Sequence, residues 1–403
     1  MALRELRWCW LLVLVICLVA LPAAAQSSIR VQCPVSTAKH PTAYDPAIKC
    51  IHLSAGDGFI SMAGRPTPFY IFGFSDLGNI PYDRATGLID PGAVMTQGAL
   101  AANFSAPTIS VDEDDELFLN LTNVGMVMRP DLFDPHSVHW HGFPNASAFH
   151  DGVPESSAVI NQGATFTYYY NAVDAGTYMY HCHVEAAEHM QMGMLGNLFV
   201  RPRQNRLPAG TNLNGFVHQT GYKYAYNDGD GSTRYDVEYP IQLTSMDPVF
   251  HDLHQNVQPL PFADMKDTYF MLNGRGYPDT VNPNVIYTDG RPSQPLSALI
   301  TAAPGQRVLL RISNLSITRF GTLATIGIPM QVIALDGRLL QDQLGNKLYY
   351  TTNSVTLGGG QSADVILDTT GLSGTYFLYS ANLDQLSNDA ENFGGAMTEI
   401  RIN

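Results

Sequence analysis

The sequence predicts an all-β protein built from two Greek-key β-sandwich domains, and three observations carry that expectation. Gly (35 residues) and Pro (25 residues) punctuate many short runs of Val, Thr, Tyr and Phe, the pattern of strands between turns rather than of helices. The two halves repeat: VDEDDELFLNLTN (111–123) aligns with AAPGQRVLLRISN (302–314), and DAGTYMYHCH (174–183) with LSGTYFLYSA (372–381). In each pair an alternating strand follows a charged or glycine turn, as duplicated sandwiches require. A length of 403 residues, 45% hydrophobic and 10% aromatic, is ample for packed cores.

In chain order, residues 1–25 have the shape of a cleavable signal peptide. MALRELR precedes an apolar run from Trp8 to Ala20, then Pro22 and three alanines before Gln26. The run is short for a membrane span, so the mature chain is expected to begin near Gln26 and to be secreted or periplasmic. Residues 26–60 read as an N-terminal extension, 61–205 as the first β domain, the polar run 201–215 as a linker and 216–403 as the second β domain. Cys9 and Cys17 leave with the signal. Of the remaining three cysteines, an oxidising compartment favours a Cys33–Cys50 disulfide and leaves Cys182 free, the alternative being two merely buried thiols. Losing Arg4, Glu5 and Arg7 moves the formal charge from −14 to −15, with 20 basic against 35 acidic residues. A chain so acidic repels nucleic acid and anionic membranes and tolerates cationic substrates or a basic redox partner.

The chemistry concentrates in residues 136–194, which contain HSVHWHG, DGVP and GTYMYHCHVEAAEHMQMGM and hold seven histidines, Cys182 and Met194. Imidazole, thiolate and thioether together suit copper. Calcium and magnesium want oxygen ligands, and one cysteine among many imidazoles matches no common structural zinc set. Residues two apart on a strand share a face, roughly 6.6 Å from one another. His139 and His141 therefore point one way, as do His181 and His183, while Cys182 points to the opposite face. One strand thus serves a sulfur-bearing centre and a histidine group. The second half lacks both: Tyr379, Ser380 and Ala381 replace His181, Cys182 and His183, GTLATIG (321–327) replaces HSVHWHG, and no histidine follows His254.

With these motifs the chain resembles the multicopper oxidase family, built from cupredoxin domains, over nearly the whole mature sequence. The resemblance implies His136, Cys182, His189 and Met194 as type 1 copper ligands, His139 as a type 2 ligand, and His141, His181 and His183 as type 3 ligands. On that reading 61–205 is a copper-binding cupredoxin domain and 216–403 a cupredoxin-like domain without ligands. Six residues separate Cys182 from His189, two more than is usual in the oxidases and closer to copper nitrite reductases, whereas the step from His189 to Met194 keeps the expected five. Asp151 in HDGVP resembles the family's proton-relaying aspartate; a plain Asp-Gly turn is the other reading. Met190 and Met192 read as packing, and His40, His52, His150, His218, His251 and His254 as structural or surface residues. Asn103, Asn120, Asn145 and Asn314 begin glycosylation sequons.

The resemblance implies a copper-dependent oxidoreductase. A small-molecule (phenolic) or metal-ion reductant gives one electron at a time to the type 1 copper, and dioxygen is reduced at a trinuclear cluster. Such a cluster uses eight histidines and this chain offers four, so a cluster shared within a homo-oligomer is expected. The alternative is a blue-copper electron carrier. Nitrite reduction ranks third, because that family takes a histidine from a neighbour's second domain.

Overall fold

The computed structural model describes residues 29–403; the expected signal peptide lies outside them. The chain forms two β-sandwiches. In the first, the strands are β1 (Ile48–Ile60), β2 (Phe69–Asp76), β3 (Ala106–Asp112), β4 (Glu116–Gly125), β5 (His139–His141), β6 (Thr165–Asn171), β7 (Gly176–His181) and β8 (Leu195–Arg201). They make two four-stranded sheets, in the orders β2-β1-β4-β6 and β3-β8-β7-β5. The β1/β4 and β3/β8 pairs are parallel and the remaining neighbours antiparallel, the mixture left by long Greek-key crossings.

The second sandwich contains the same order within larger sheets of seven and five strands. Tyr269–Leu272, Val237–Met246, Arg307–Asn314 and Ser362–Asp368 stand as β2-β1-β4-β6, and Ile300–Ala302, Met397–Ile402, Gly374–Ser380 and Gly321–Thr325 stand as β3-β8-β7-β5. The register repeats as well. His139 lies opposite His181, and the aligned positions Ala324 and Tyr379 lie opposite one another.

One boundary is corrected. Residues 48–60, expected within an N-terminal extension, are β1, which pairs with both β2 and β4. Its sequence, IKCIHLSAGDGFI, carries a weak strand signal because close backbone approaches demand small residues. A Cβ on Gly58 would lie 3.0 Å from the Ala102 nitrogen, a contact only glycine avoids. The preceding segment also packs inward, with Ile29 and Val31 in a cluster with Leu77, Ile80 and Val94. A Cys33–Cys50 disulfide ties it to β1.

Each sandwich has its own core, and a third cluster joins them across the face of β7 and β8, with Met179 and Leu195 against Met246, Tyr269, Met271 and Leu315. Polar contacts close the same interface. Arg311, fully buried, reaches Glu238 and the Thr177 hydroxyl, and Ser362 donates to the Thr177 carbonyl at 2.9 Å. The second sandwich therefore covers the sheet that carries the histidine motifs.

Candidate metal centres

Strand alternation sorts the donors into two groups. On β5, Trp140 turns into the core, stacked on Phe143 at 4.2 Å and edge-on to Tyr170 at 4.8 Å, so His139 and His141 turn the other way. On β7, Tyr178, Tyr180 and the following Cys182 face the first core, whereas Met179 faces the second domain. The strand itself ends at His181, short of His183, but the alternation continues through Cys182.

The sulfur-side group lies in the core. His136, Cys182 and His189 have donor atoms within 4.8 Å of one another and none has solvent exposure. The Cys182 sulfur is 3.2 Å from His189 Nδ1 and 3.9 Å from His136 Nδ1. Met194, also fully buried, is brought to the site by its backbone: its carbonyl accepts from the Cys182 N–H at 3.1 Å, and its own N–H donates to the His189 carbonyl at 2.9 Å. The Ser137 N–H approaches the sulfur at 3.5 Å, and paired backbone bonds between His136 and Ile160 fix the other imidazole. Donors about 2.0–2.3 Å from a common ion sit roughly 3.3–3.7 Å apart at tetrahedral angles, so these nitrogens and this sulfur fit one metal. Two imidazoles, a thiolate and a thioether form the donor set of copper rather than of a hard cation.

The histidine-side group consists of His139, His141 and His181, with donor atoms again within 4.8 Å of one another. His183 joins them through its ring, 5.1 Å from that of His139 and 5.7 Å from that of His181, centroid to centroid. His141 Nδ1 and His181 Nε2 face each other at 3.2 Å. His139 Nδ1 lies 2.7 Å from the Asp151 carbonyl and 3.4 Å from its carboxylate, and His181 Nδ1 lies 2.8 Å from the Cys182 carbonyl. Those carbonyls hold the N–H on Nδ1 and leave each Nε2 lone pair for the cluster, the outer-shell orientation that metal-binding histidines use. Burial depresses the pKa of His139, His141 and His136, and that of His181 to about 3. All four are held as neutral imidazoles, the form a metal requires. His189 behaves oppositely: burial disfavours its proton, but the Cys182 sulfur and the Asp134 carboxylate outweigh burial and lift its pKa to about 10.

Six residues between Cys182 and His189 leave room for a short helix, Ala186–Met192, which carries His189 and is gripped from the second domain. His251 places both ring nitrogens on carbonyls, that of Tyr70 at 2.7 Å and that of Gln191 at 3.0 Å. His254 accepts from Arg129 at 3.0 Å and meets Glu188 at 2.7 Å, and Gln191 donates to Asp267 at 3.1 Å. The sequence reading of these two histidines as structural did not anticipate that grip. On the far side, the second domain reaches the cluster itself: Gly360, at φ +87°, lies so close that a Cβ would stand 2.8 Å from His141 Nε2.

Asp134, Glu185 and Glu188 were not singled out in the sequence, yet their carboxylates gather with His189. The available signal was the lengthened Cys–His interval, which contributes both glutamates. His150 is half-buried with its ring stacked on Phe166, and His52, His218 and His40 have other partners. Of the sequon asparagines, Asn103, Asn120 and Asn314 are buried and Asn145 is exposed.

Comparison with known proteins points the same way. Residues 90–205 and 250–398 match two family models, each described as multicopper oxidase. Among curated relatives, the multicopper oxidase MmcO of Mycobacterium tuberculosis is 26% identical over 265 residues, 61% of this chain and 44% of that protein. The multicopper oxidase MCE of Talaromyces pinophilus is 35% identical over 104 residues, 25% of this chain and 16% of that protein. The chain thus spans less than half the length of these relatives. Among solved structures, the blue copper oxidase of Nitrosomonas europaea shares the fold with a TM-score of 0.61 and 24% identity, over 87% of this chain and 85% of that one. The copper nitrite reductase of the same organism shares it with a TM-score of 0.55 and 18% identity, over 87% of this chain and 93% of that one.

Proposed function

Because the chain belongs to the multicopper oxidase family, we propose that it is a copper-dependent oxidoreductase that takes electrons singly from a phenolic or metal-ion reductant and delivers them to dioxygen. One observation carries the reading: the Cys182 donor group and the histidine group occupy opposite faces of one strand end and are joined by the peptide bonds of 181–183. Copper, when bound, supplies the reversible one-electron chemistry at both places.

The chain's own residues supply the rest. His136, Cys182, His189 and Met194 hold the first ion and exclude water from it. His139, His141, His181 and His183 present neutral nitrogens to the second group. The Asp151 carbonyl orients His139, and its carboxylate, 28% exposed, carries protons between solvent and the cluster. Cluster completion by a second chain makes the active species a homo-oligomer, and export to an oxidising compartment agrees with the Cys33–Cys50 disulfide.

A second reading, a blue-copper electron carrier, is favoured by one observation: Ala324 and Tyr379 stand where the first domain has His139 and His181. Copper content and dioxygen uptake separate the two. About two and a half coppers per chain, with uptake abolished and blue colour retained in His139→Ala, supports the oxidase; about one copper and no uptake supports the carrier.

A further inference from the structure

We propose that the first sandwich carries, on the outer face of its β2-β1-β4-β6 sheet, a binding site for a monocyclic aromatic carboxylate, held by Arg30 and Arg84. Leu117, Leu119 and Leu121 of β4 point into the core, so Phe118 between them points outward, beside Cys50 on β1. The N-terminal segment crosses that face and leaves a cavity of about 360 Å3 lined by Phe118, Arg30, Cys33, Pro34, Arg84 and Thr86, within the roughly 300–1,000 Å3 of small-ligand sites. None of these residues belongs to either copper-donor group. The walls are fixed in place. The Cys33–Cys50 disulfide anchors one of them to β1, and the Val31 N–H donates to the Gly87 carbonyl at 2.8 Å. Gly87, at φ +72°, permits that approach, since a Cβ there would stand 2.8 Å from the Val31 carbonyl oxygen.

Charge and shape select the ligand. Arg84 donates from Nε to the Cys33 carbonyl at 3.3 Å and from one terminal nitrogen to the Pro34 carbonyl at 3.0 Å. Its guanidinium stands 5.2 Å from the ring centre of Tyr44, a residue in the left-handed region at φ +59°. The other terminal nitrogen is left for a ligand. Arg30 is exposed and donates only to the Thr86 carbonyl, at 3.3 Å. Among the described residues, no carboxylate comes within 4.0 Å of either guanidinium. Asp83, next to Arg84 in the chain, uses its oxygens on the Ala85 N–H and the Thr86 hydroxyl. Two guanidiniums without a counter-ion on one cavity repel each other and favour an anion between them. Their planar forks match the two oxygens of a carboxylate, and the half-buried Phe118, braced against Tyr169 at 5.2 Å, offers its ring to an aromatic body. A cation is repelled there, and a neutral ring leaves both arginines unanswered.

The probe is benzoate, titrated by calorimetry into the copper-loaded full chain, with benzamide as its neutral counterpart and sulfate as an anion without a ring. The wild type is expected to bind one benzoate per chain and to bind benzamide and sulfate more weakly. Benzoate binding weakens about tenfold in Arg30→Gln and in Arg84→Gln, the loss expected of one charge-assisted hydrogen bond. Arg84→Lys recovers only part of it, because an ammonium keeps the charge and lacks the fork. Phe118→Leu weakens benzoate and leaves sulfate unchanged. Benzoate also raises the Tm of the wild type and does not move that of Arg30→Gln. Arg30 makes a single backbone contact, so Arg30→Gln keeps the fold, the blue colour and dioxygen uptake even where Arg84→Gln loosens the segment. Benzoate that binds wild type and Arg30→Gln equally, or binds neither, overturns the site. Sulfate held as tightly as benzoate overturns the aromatic ligand.

Discussion

Serine at position 182 would preserve the size and burial of the side chain and remove its sulfur. Copper-loaded Cys182→Ser is therefore expected to lose the intense visible absorption of a thiolate-bound Cu(II) while the β-sheet circular dichroism remains; a variant that stays blue would contradict the assignment. A second residue sets a pH dependence. His52 is buried on β1, with Nε2 2.8 Å from the Thr122 hydroxyl, and burial lowers its pKa to about 4. In the unfolded chain it titrates near its ordinary value of about 6.5. The folded state thus disfavours the proton, so the contribution of His52 is fully present above the unfolded value and is lost as pH falls from about 6.5 to about 4, up to about 3 kcal/mol. The Tm of the wild type should fall between pH 7 and pH 4.5 by more than that of His52→Gln. At this scale the residues that gather into the two donor groups were legible because their spacings interlock within one stretch of sequence. Asp134 was not: it lies two residues before His136 with no spacing rule to mark it, and its meaning depends on a loop brought alongside by the fold.

Among the elements, the short helix Ala186–Met192 is the one that the lengthened Cys–His interval creates, and its position comes from outside its own domain. His251→Phe keeps an aromatic ring but withdraws the polar partner faced by the Tyr70 and Gln191 carbonyls. The expected loss is about 1–3 kcal/mol, visible by calorimetry as a lower Tm, with a changed blue band because the helix carries His189. Sequence pattern revealed strands within the two repeated stretches, β4 and β7. It missed β1, whose Gly56 and Gly58 are dictated by neighbours packed against the backbone rather than by strand preference. The helix was no more visible, since seven residues are too few for a helical period to declare itself.

For the whole molecule, the internal repeat was the legible part: aligned positions fall opposite one another in both sandwiches, down to the register of His139 with His181 and Ala324 with Tyr379. What repetition could not disclose is how the two copies face each other, because that depends on surfaces distant in sequence. The loop Gly358–Gly360 ends on His141, and alanine at 360 would meet both a left-handed backbone and an imidazole 2.8 Å away. Gly360→Ala is expected to lower stability by about 1–3 kcal/mol and to reduce copper retention by the histidine group while the blue absorption at Cys182 persists. Thermal unfolding together with copper content per chain checks both parts.

The absence of any solvent-facing surface on His136, Cys182 and His189 has a consequence for timing. An ion destined for that centre has to arrive before the first sandwich has packed around its donors, because afterwards it can enter only when the packed chain opens. Metal delivery and packing of the first core therefore run as a race during biogenesis. A chain that closes first is a slow acceptor however tightly its donors would bind, and the copper supply that matters is the one present where the protein folds.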